Sequence, residues 1–134
     1  GGYPASVAAC ARKYYGDGPK IVIVEPTEGR VLQASIEAGK AVESPGAVSN
    51  MGRLDCKVAS LGALSSLAQT SNYFMTITDQ EATDCLHELE ENGLKTSESG
   101  GAGYAGLLKC IENNGCEISS ESKVLLILTE KKPD

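Results

Sequence analysis

The sequence predicts an α/β fold, with an open, mostly parallel sheet and flanking helices. Short segments that are apolar at every position alternate along the chain with longer segments of helical periodicity. A continuously apolar segment is typical of a strand covered on both faces, as in parallel sheets. The alternation favours parallel strands joined by crossover helices. Because no linker or repeat divides the 134 residues, we expect a single α/β domain over residues 1–134.

The first half of the chain predicts helices on either side of a buried strand. Pro4 suits the first turn of a helix, and Gly16 suits the position after its last turn. The run KIVIVE has a wholly apolar centre and is stopped by Pro26, as expected of a buried strand. In order, the predicted elements are a helix over 5–15, a strand over 20–25, a helix over 27–38 and a short strand over 40–43.

The second half predicts three helices and two strands. Thr78 and Glu81 have the spacing of a capping box, in which each side chain binds the backbone N–H of the other residue. Asn92-Gly93 suits the end of that helix. In order, the predicted elements are a loop over 44–56, a helix around 58–68, a strand over 73–77, a helix from 78 to about 92, a glycine-rich loop over 97–103, a helix to about 113 and a strand over 124–128.

Composition and charge argue against two classes of partner. A net charge of −6, an aromatic content of 4% and the absence of Trp do not suit a nucleic-acid surface, which needs cations and stacking rings. No apolar run approaches the roughly 20 residues of a membrane helix. The chain also does not open with a basic and then apolar targeting segment. We therefore expect a cytoplasmic protein with neither nucleic-acid nor membrane partners.

Cysteine usage indicates a reducing compartment and no metal centre. An odd number of cysteines without CxxC spacing or an export signal fits reduced thiols, mostly serving as small buried side chains. His87 is the only histidine, so a convergent set of Cys and His ligands is not available. The five cysteines are Cys10, Cys56, Cys85, Cys110 and Cys116.

Two glycine-rich segments, Gly1-Gly2 and Ser99-Gly100-Gly101, precede predicted helices. A helix N-terminus offers unpaired N–H groups and the positive end of a dipole, which suit a phosphate group. In α/β sheets, ligands bind beyond the carboxyl ends of the strands. A glycine-rich turn serves tight packing equally well, so each segment alone leaves both interpretations open.

Five segments, taken in order, resemble the C-terminal part of the fold-type-II pyridoxal-phosphate enzymes. That group includes threonine dehydratases, cysteine synthases and diaminopropionate ammonia-lyases, and the chain is most similar to the last of these. The resemblance spans essentially the whole sequence. The five segments are GGYPASVAA (1–9), IVIVEP (21–26), GRLDCKVAS (52–60), SESGGAGYAGLL (97–108) and VLLILTE (124–130).

The resemblance implies a pyridoxal 5'-phosphate cofactor and several contacts with it. Gly1 and Gly2 would present backbone N–H groups to the phosphate, and Thr129 would place its hydroxyl against the pyridine nitrogen. From the residues alone, Thr129 is equally a threonine at the end of a strand, and Glu98 a carboxylate in solvent. The contacts implied near the edge of the ring are Glu98, Ser99 and Gly100.

The resemblance also implies that part of the enzyme is missing. In this family the Schiff-base lysine lies well upstream of the glycine loop, and no lysine of this chain matches its motif, so the catalytic residue stays unassigned. We expect residues 1–134 to be the C-terminal portion of the cofactor-binding large domain. Its expected partners are the missing N-terminal part, a second copy in a homodimer and a small amino-acid substrate. Lys131-Lys132-Pro133 departs from the family, which usually has a glycine soon after Thr129-Glu130.

Three functions stay open at this point. The first is α,β-elimination on 2,3-diaminopropionate, giving pyruvate and ammonia, with this chain as a fragment of the lyase. The second keeps the cofactor but takes serine or threonine as substrate, as in a dehydratase. The third is a non-catalytic binding or regulatory module, which the missing lysine suggests. Whether the isolated chain is itself an enzyme is therefore undecided.

Overall fold

The computed structural model describes residues 1–132, so Pro133 and Asp134, the end of the predicted domain, lie outside the described residues. Two strands, β1 (Val22–Pro26) and β2 (Tyr73–Ile77), form one parallel sheet. The predicted α/β fold class is confirmed. The helices are α1 (Gly2–Tyr15), α2 (Val31–Ala38), α3 (Leu61–Thr70), α4 (Asp79–Glu91) and α5 (Glu98–Glu112).

The amino end of the sheet is fixed by Arg12 of α1 and Asn72. The Arg12 guanidinium donates to the Thr70 carbonyl at 2.8 Å and to the Asn72 side-chain oxygen at 2.7 Å. The same oxygen accepts the Ile21 N–H at 2.8 Å. These bonds hold the start of β1 beside the start of β2, and the register then runs to Pro26 opposite Ile77.

Both faces of the sheet are covered, as the continuous apolarity of the strands predicted. Ile23 of β1 lies in a first core cluster with residues of α1, α2 and α3, whereas Val24 packs against a second cluster formed with α4 and α5. Helix α5 lies close to the strand because Gly106 faces Val24: a Cβ on Gly106 would come within 2.5 Å of Val24 Cγ2.

The predicted strand over 124–128 is wrong. Within residues 1–132 the segment forms no regular secondary structure and pairs with neither β1 nor β2, and Leu125 is 85% exposed. Apolarity predicts that a segment can be covered, but a strand also needs a neighbour with a free edge beside it. Here the chain instead passes the second cluster, where Leu128 packs, and then reaches the start of α5, where the Glu130 carbonyl accepts the Thr96 hydroxyl at 2.5 Å.

The predicted elements around 27–43 are partly wrong. The helix over 27–38 is divided into a 3-10 turn (Thr27–Gly29) and α2. Gly29 lies close to Asp55, since a Cβ there would come within 3.0 Å of Asp55 Oδ1. The short strand over 40–43 is reduced to one antiparallel bridge between Glu43 and Val58.

The predicted glycine-rich loop over 97–103 is also wrong, because these residues form the start of α5. Ser97 is the N-cap, and its hydroxyl oxygen accepts the Gly100 N–H at 3.2 Å. Gly101 faces Leu86 of α4, where a Cβ would lie 3.1 Å from the leucine Cδ2. Close packing between α4 and α5 therefore outweighs the low helix propensity of glycine.

Over residues 1–132, none of the helices has the length and apolarity that crossing a membrane requires.

The capping box of α4 is confirmed. The Thr78 hydroxyl oxygen accepts the Glu81 N–H at 3.1 Å, and the Glu81 carboxylate accepts the Thr78 N–H at 2.7 Å. Lys109 of α5 also binds this carboxylate, at 3.0 Å. Burial opposes ionisation of Glu81, but the Thr78 N–H and the Lys109 ammonium together lower its pKa. The box thus joins the start of α4 to α5.

We expect Thr78→Ala to lower the free energy of unfolding by about 1 kcal/mol, because it removes the acceptor for the Glu81 N–H. Urea unfolding followed by circular dichroism measures the change. Thr83→Ala on the same helix is the matched control, since the Thr83 hydroxyl donates within α4 to the Asp79 carbonyl. Its effect should stay within about 0.5 kcal/mol. Equal losses in the two variants would contradict the capping role.

Candidate functional site

The candidate site lies at the carboxyl edge of the sheet, where β1 and β2 end side by side. Pro26 is opposite Ile77, and the Thr27 hydroxyl donates to the Ile77 carbonyl at 3.1 Å, which joins the two segments just beyond the strands. Ligands of parallel α/β sheets bind beyond this edge. The segments that follow each strand therefore decide what the edge can hold.

Glu25, the fourth residue of β1, caps the N-terminus of helix α2. Its carboxylate is buried and accepts the N–H groups of Leu32 and Gln33, each at 2.8 Å. Burial raises the pKa of Glu25, although the two N–H bonds act in the opposite direction. The N-cap residue Arg30 makes no capping bond with its side chain, and the strand supplies the acceptor instead. Glu25 thus fixes the turn after β1.

Residues 44–58, which we call the crossing loop, pass over this edge and are held there by Lys57. The Lys57 ammonium donates to the Glu28 carbonyl at 2.7 Å, to the Ala47 carbonyl at 2.8 Å and to the Asp55 carboxylate. The Lys57 hydrogen bond lowers the pKa of Asp55. Asp55 also accepts the Ser49 N–H at 3.3 Å. Lys57 therefore joins two parts of the crossing loop to each other and joins the loop to the turn after β1.

The crossing loop is also attached to α4, through Asp79. The Ser49 hydroxyl donates to Asp79 at 2.5 Å, and the Asn50 N–H donates to the same carboxylate at 2.9 Å. The Ser49 oxygen in turn accepts the Met51 N–H at 3.1 Å, and Met51 is fully buried in the second cluster. A carboxylate at a helix N-terminus is favoured by the helix dipole, so Asp79 serves both α4 and the loop.

The start of α5 also contacts the crossing loop, through Arg53. The Arg53 N–H donates to the Ser99 hydroxyl oxygen at 3.3 Å, and the Arg53 guanidinium pairs with Glu130 at 2.5 Å. The Ser97 hydroxyl donates to the same Glu130 carboxylate. Ser99 and Gly100 are buried here, and a Cβ on Gly100 would come within 2.1 Å of Thr96 Oγ1. The glycine is required by this close approach.

The start of α1 is exposed and has no side-chain cap. Gly1 is the N-cap residue, and a Cβ on it would come within 3.4 Å of Leu32, next to the turn that Glu25 holds. Nothing lies within 4 Å of a Cβ built on Gly2, so the space beside the first turn is open. A helix that begins this way leaves the N–H groups at its start, those of Gly1 and Gly2 among them, available to an anion.

The structure brings some of the predicted site residues together and leaves others apart. Gly100 lies beside the Glu130 carbonyl, and its neighbour Ser99 accepts the Arg53 N–H. Thr129, next to Glu130 in sequence, is exposed, and Glu98 is half-buried in the first turn of α5. Gly1 lies next to α2 and α3 instead, with the open space of Gly2 beside it, and no hydrogen bond among residues 1–132 joins either glycine to the start of α5. Their contacts with a cofactor stay a prediction.

The charged residues that organise this edge were not predicted as site residues from the sequence. Asp55 and Lys57 lie within the quoted segment GRLDCKVAS, and their spacing of two residues in a loop was the available signal. Asp79 was visible only as an acidic residue in the first turn of a helix. The two carbonyls that Lys57 binds and the partners of Asp79 lie 10 to 30 residues away along the chain, so local patterns did not reveal these bonds.

Lys57 does not have a free amine for covalent chemistry. An ammonium group has three N–H donors, and Lys57 uses them on two carbonyls and Asp55. Lys109, the other lysine with a mostly covered side chain, is paired with Glu81. In the part of the chain that the structure describes, no group of three or more His, Cys, Asp or Glu side chains is arranged to hold a metal ion.

Comparison with known proteins supports the fold described above. A family model described as pyridoxal-phosphate dependent enzyme matches residues 1–130. One similar solved structure is a threonine deaminase from T.th., which is 16% identical in sequence and has a TM-score of 0.74; the match covers 81% of this chain and 40% of that chain. Another is a maize serine racemase, which is 21% identical and has a TM-score of 0.73; the match covers 81% of this chain and 32% of that chain. The chain thus spans less than half the length of either. No curated protein matches it.

We expect Gly100→Ala to lower the free energy of unfolding by about 1–3 kcal/mol, the usual cost of overpacking. The new methyl group would displace Thr96 Oγ1 from its bond with the Glu130 carbonyl. Gly103→Ala in the same helix is the matched control, because nothing lies within 4 Å of a Cβ there. It should raise the free energy of unfolding by about 0.5–1 kcal/mol through helix propensity. A stabilising Gly100→Ala would contradict the close packing at the start of α5.

Proposed function

The chain belongs to the family of pyridoxal-phosphate-dependent enzymes, and from that premise we propose that it is the C-terminal portion of the cofactor domain of an amino-acid lyase. The proposed reaction is α,β-elimination on 2,3-diaminopropionate, which with one water gives pyruvate and two molecules of ammonia. The observation that carries the proposal is the match of the family model over residues 1–130, together with the five ordered segments that resemble diaminopropionate ammonia-lyase.

The N-terminus of α1 fits the phosphate group of the cofactor. Gly1 and Gly2 are exposed, the helix has no side-chain cap, and the space beside Gly2 is open. Backbone N–H groups at such a helix start bind phosphate without a charged side chain. The α5 N-terminus is less suited, because Ser97 already caps it. We therefore assign the phosphate to Gly1 and Gly2.

The residues at the start of α5, together with Thr129, would lie along the ring of the cofactor. Thr129 is exposed, so its hydroxyl is free to donate to a ring nitrogen. Glu98, Ser99 and Gly100 would border the ring, with the crossing loop holding Ser99 in place through Arg53. When bound, pyridoxal phosphate supplies an electron sink for negative charge at the substrate α-carbon.

The remaining parts of the enzyme are proposed to come from outside this chain. Since the three donors of Lys57 are occupied, we place the Schiff-base lysine in an N-terminal part of the same protein. The solved structures that the chain resembles are more than twice its length, which leaves room for such a part. We further propose a homodimer in the cytoplasm, where the five free cysteines would stay reduced.

A second candidate function is a serine or threonine dehydratase. The two similar structures carry the names threonine deaminase and serine racemase, and both share the fold of this chain. A hydroxyl group would then replace the β-amino group as the leaving group. The identities of 16% and 21% support the fold rather than the substrate, so the two candidates are separated by experiment.

The complete protein, loaded with pyridoxal phosphate, should turn over 2,3-diaminopropionate with a kcat/KM at least about tenfold above those for serine and threonine, a difference of about 1.4 kcal/mol in transition-state stabilisation. Pyruvate or 2-oxobutyrate and ammonia are measured. A preference for serine or threonine would instead establish the dehydratase. Cofactor binding without turnover of any of the three would contradict both and favour the non-catalytic module.

Thr129→Ala in the complete protein tests the proposed ring contact. We expect a changed absorption spectrum of the bound cofactor and a kcat lower by about tenfold to a hundredfold, the range for loss of one polar contact. Thr129→Ser keeps the hydroxyl and should restore both. An unchanged spectrum and rate in Thr129→Ala would show that the hydroxyl does not contact the ring.

A further inference from the structure

Two of the five cysteines lie together at the C-terminal end of α5. Cys110 is in the last turn of the helix and is buried, whereas Cys116 is half-buried and lies in the turn that follows. Their Sγ atoms are 2.6 Å apart. The sulfur atoms of a disulfide bond are about 2.05 Å apart, so a small side-chain movement would join these two.

The backbone after α5 turns back to place Cys116 over Cys110. The Gly115 N–H donates to the Cys110 carbonyl at 2.8 Å. Asn114 and Cys116 have φ values of 50° and 56°, in the left-handed region that is unfavourable for residues other than glycine. An unfavourable conformation of this kind persists only where surrounding contacts hold it.

Those contacts come from Glu117, the residue next to Cys116. Its carboxylate accepts the Tyr73 hydroxyl of β2 and pairs with Lys20 at 3.6 Å. Cys110 itself lies 3.5 Å from the Met75 sulfur of the same strand. The turn is therefore attached to the sheet on one side and to α5 on the other, and the approach of the two thiols is part of the fold.

We propose that Cys110 and Cys116 form a modification site, a dithiol pair that a low-molecular-weight disulfide converts to an intramolecular disulfide. Cys116 is the more exposed of the two and reacts first. Cys110 is the second thiol, shielded from the oxidant by α5 and β2.

The chemistry is two successive thiol–disulfide exchanges. The Cys116 thiolate attacks one sulfur of the oxidant, so that a bond from Cys116 forms, the sulfur–sulfur bond of the oxidant breaks, and one small thiol leaves after taking up a proton. Cys110 then loses its proton to solvent and attacks Cys116 Sγ, which releases the second small thiol. Two protein thiols give up two electrons, and one oxidant disulfide receives them.

The order of the two steps follows from the surroundings of each sulfur. Burial, and then the adjacent Cys116, raise the pKa of Cys110 to about 12, so Cys110 is the poorer nucleophile while both thiols are reduced. Cys10 and Cys56 are exposed and Cys85 is buried in the second cluster. Within residues 1–132, Cys110 and Cys116 are the cysteines whose sulfur atoms contact each other.

The test exposes the folded chain to oxidised glutathione, quenches with acid, alkylates the free thiols and maps peptides by mass spectrometry. We expect wild type to form a disulfide within residues 110–123. Cys110→Ser should instead accumulate a glutathione adduct on Cys116, at least about tenfold above wild type, because the second thiol that removes the adduct by an intramolecular reaction is gone. Equal adducts in both proteins, with no internal disulfide in wild type, would overturn the proposal.

Two further variants keep the test decisive. Cys56→Ser removes an exposed cysteine away from the pair and should form the internal disulfide as wild type does. Cys116→Ser keeps the buried thiol alone, and Cys110 should then remain free of glutathione. If Cys110→Ser does not fold, a glutathione adduct on Cys110 in Cys116→Ser would overturn the assigned order, and its absence together with the wild-type disulfide would support it.

Discussion

The contact on which the rest of the structure depends is the one between Glu25 and the first N–H groups of α2. A buried carboxylate is unfavourable unless its oxygens are bonded, and Leu32 and Gln33 supply that bonding at 2.8 Å each. The bonds fix the turn after β1, and Leu32 then contacts Gly1 at the start of α1. One carboxylate therefore positions two helix N-termini at the same edge of the sheet.

The crossing loop completes this edge with a second set of charges. Lys57 and Asp55 close the loop on the turn after β1, and Asp79 attaches it to α4. The Arg53 N–H binds the Ser99 hydroxyl oxygen and so attaches the loop to the start of α5. Because these bonds attach one loop to the turn before α2, to the first residue of α4 and to the first turn of α5, the N-termini of the three helices are held in one arrangement.

The sequence predicted those features that depend on neighbouring residues. β1, β2 and the Thr78–Glu81 capping box follow from apolar runs and from a three-residue spacing, and the structure confirms them. The strand over 124–128 and the loop over 97–103 were wrong, because pairing and close packing depend on distant segments. Ser99 and Gly100 were named through a resemblance, whereas the bonds of Lys57 and Asp79 were invisible since their partners are distant in sequence.

The most direct test of the account is a crystal structure of the complete protein with pyridoxal phosphate. The account predicts the phosphate within hydrogen-bond distance of the backbone N–H groups of Gly1 and Gly2, and the ring beside Thr129 and the start of α5. A phosphate bound at another helix N-terminus, or a cofactor ring without contact to residues 98–100 and 129, would contradict it.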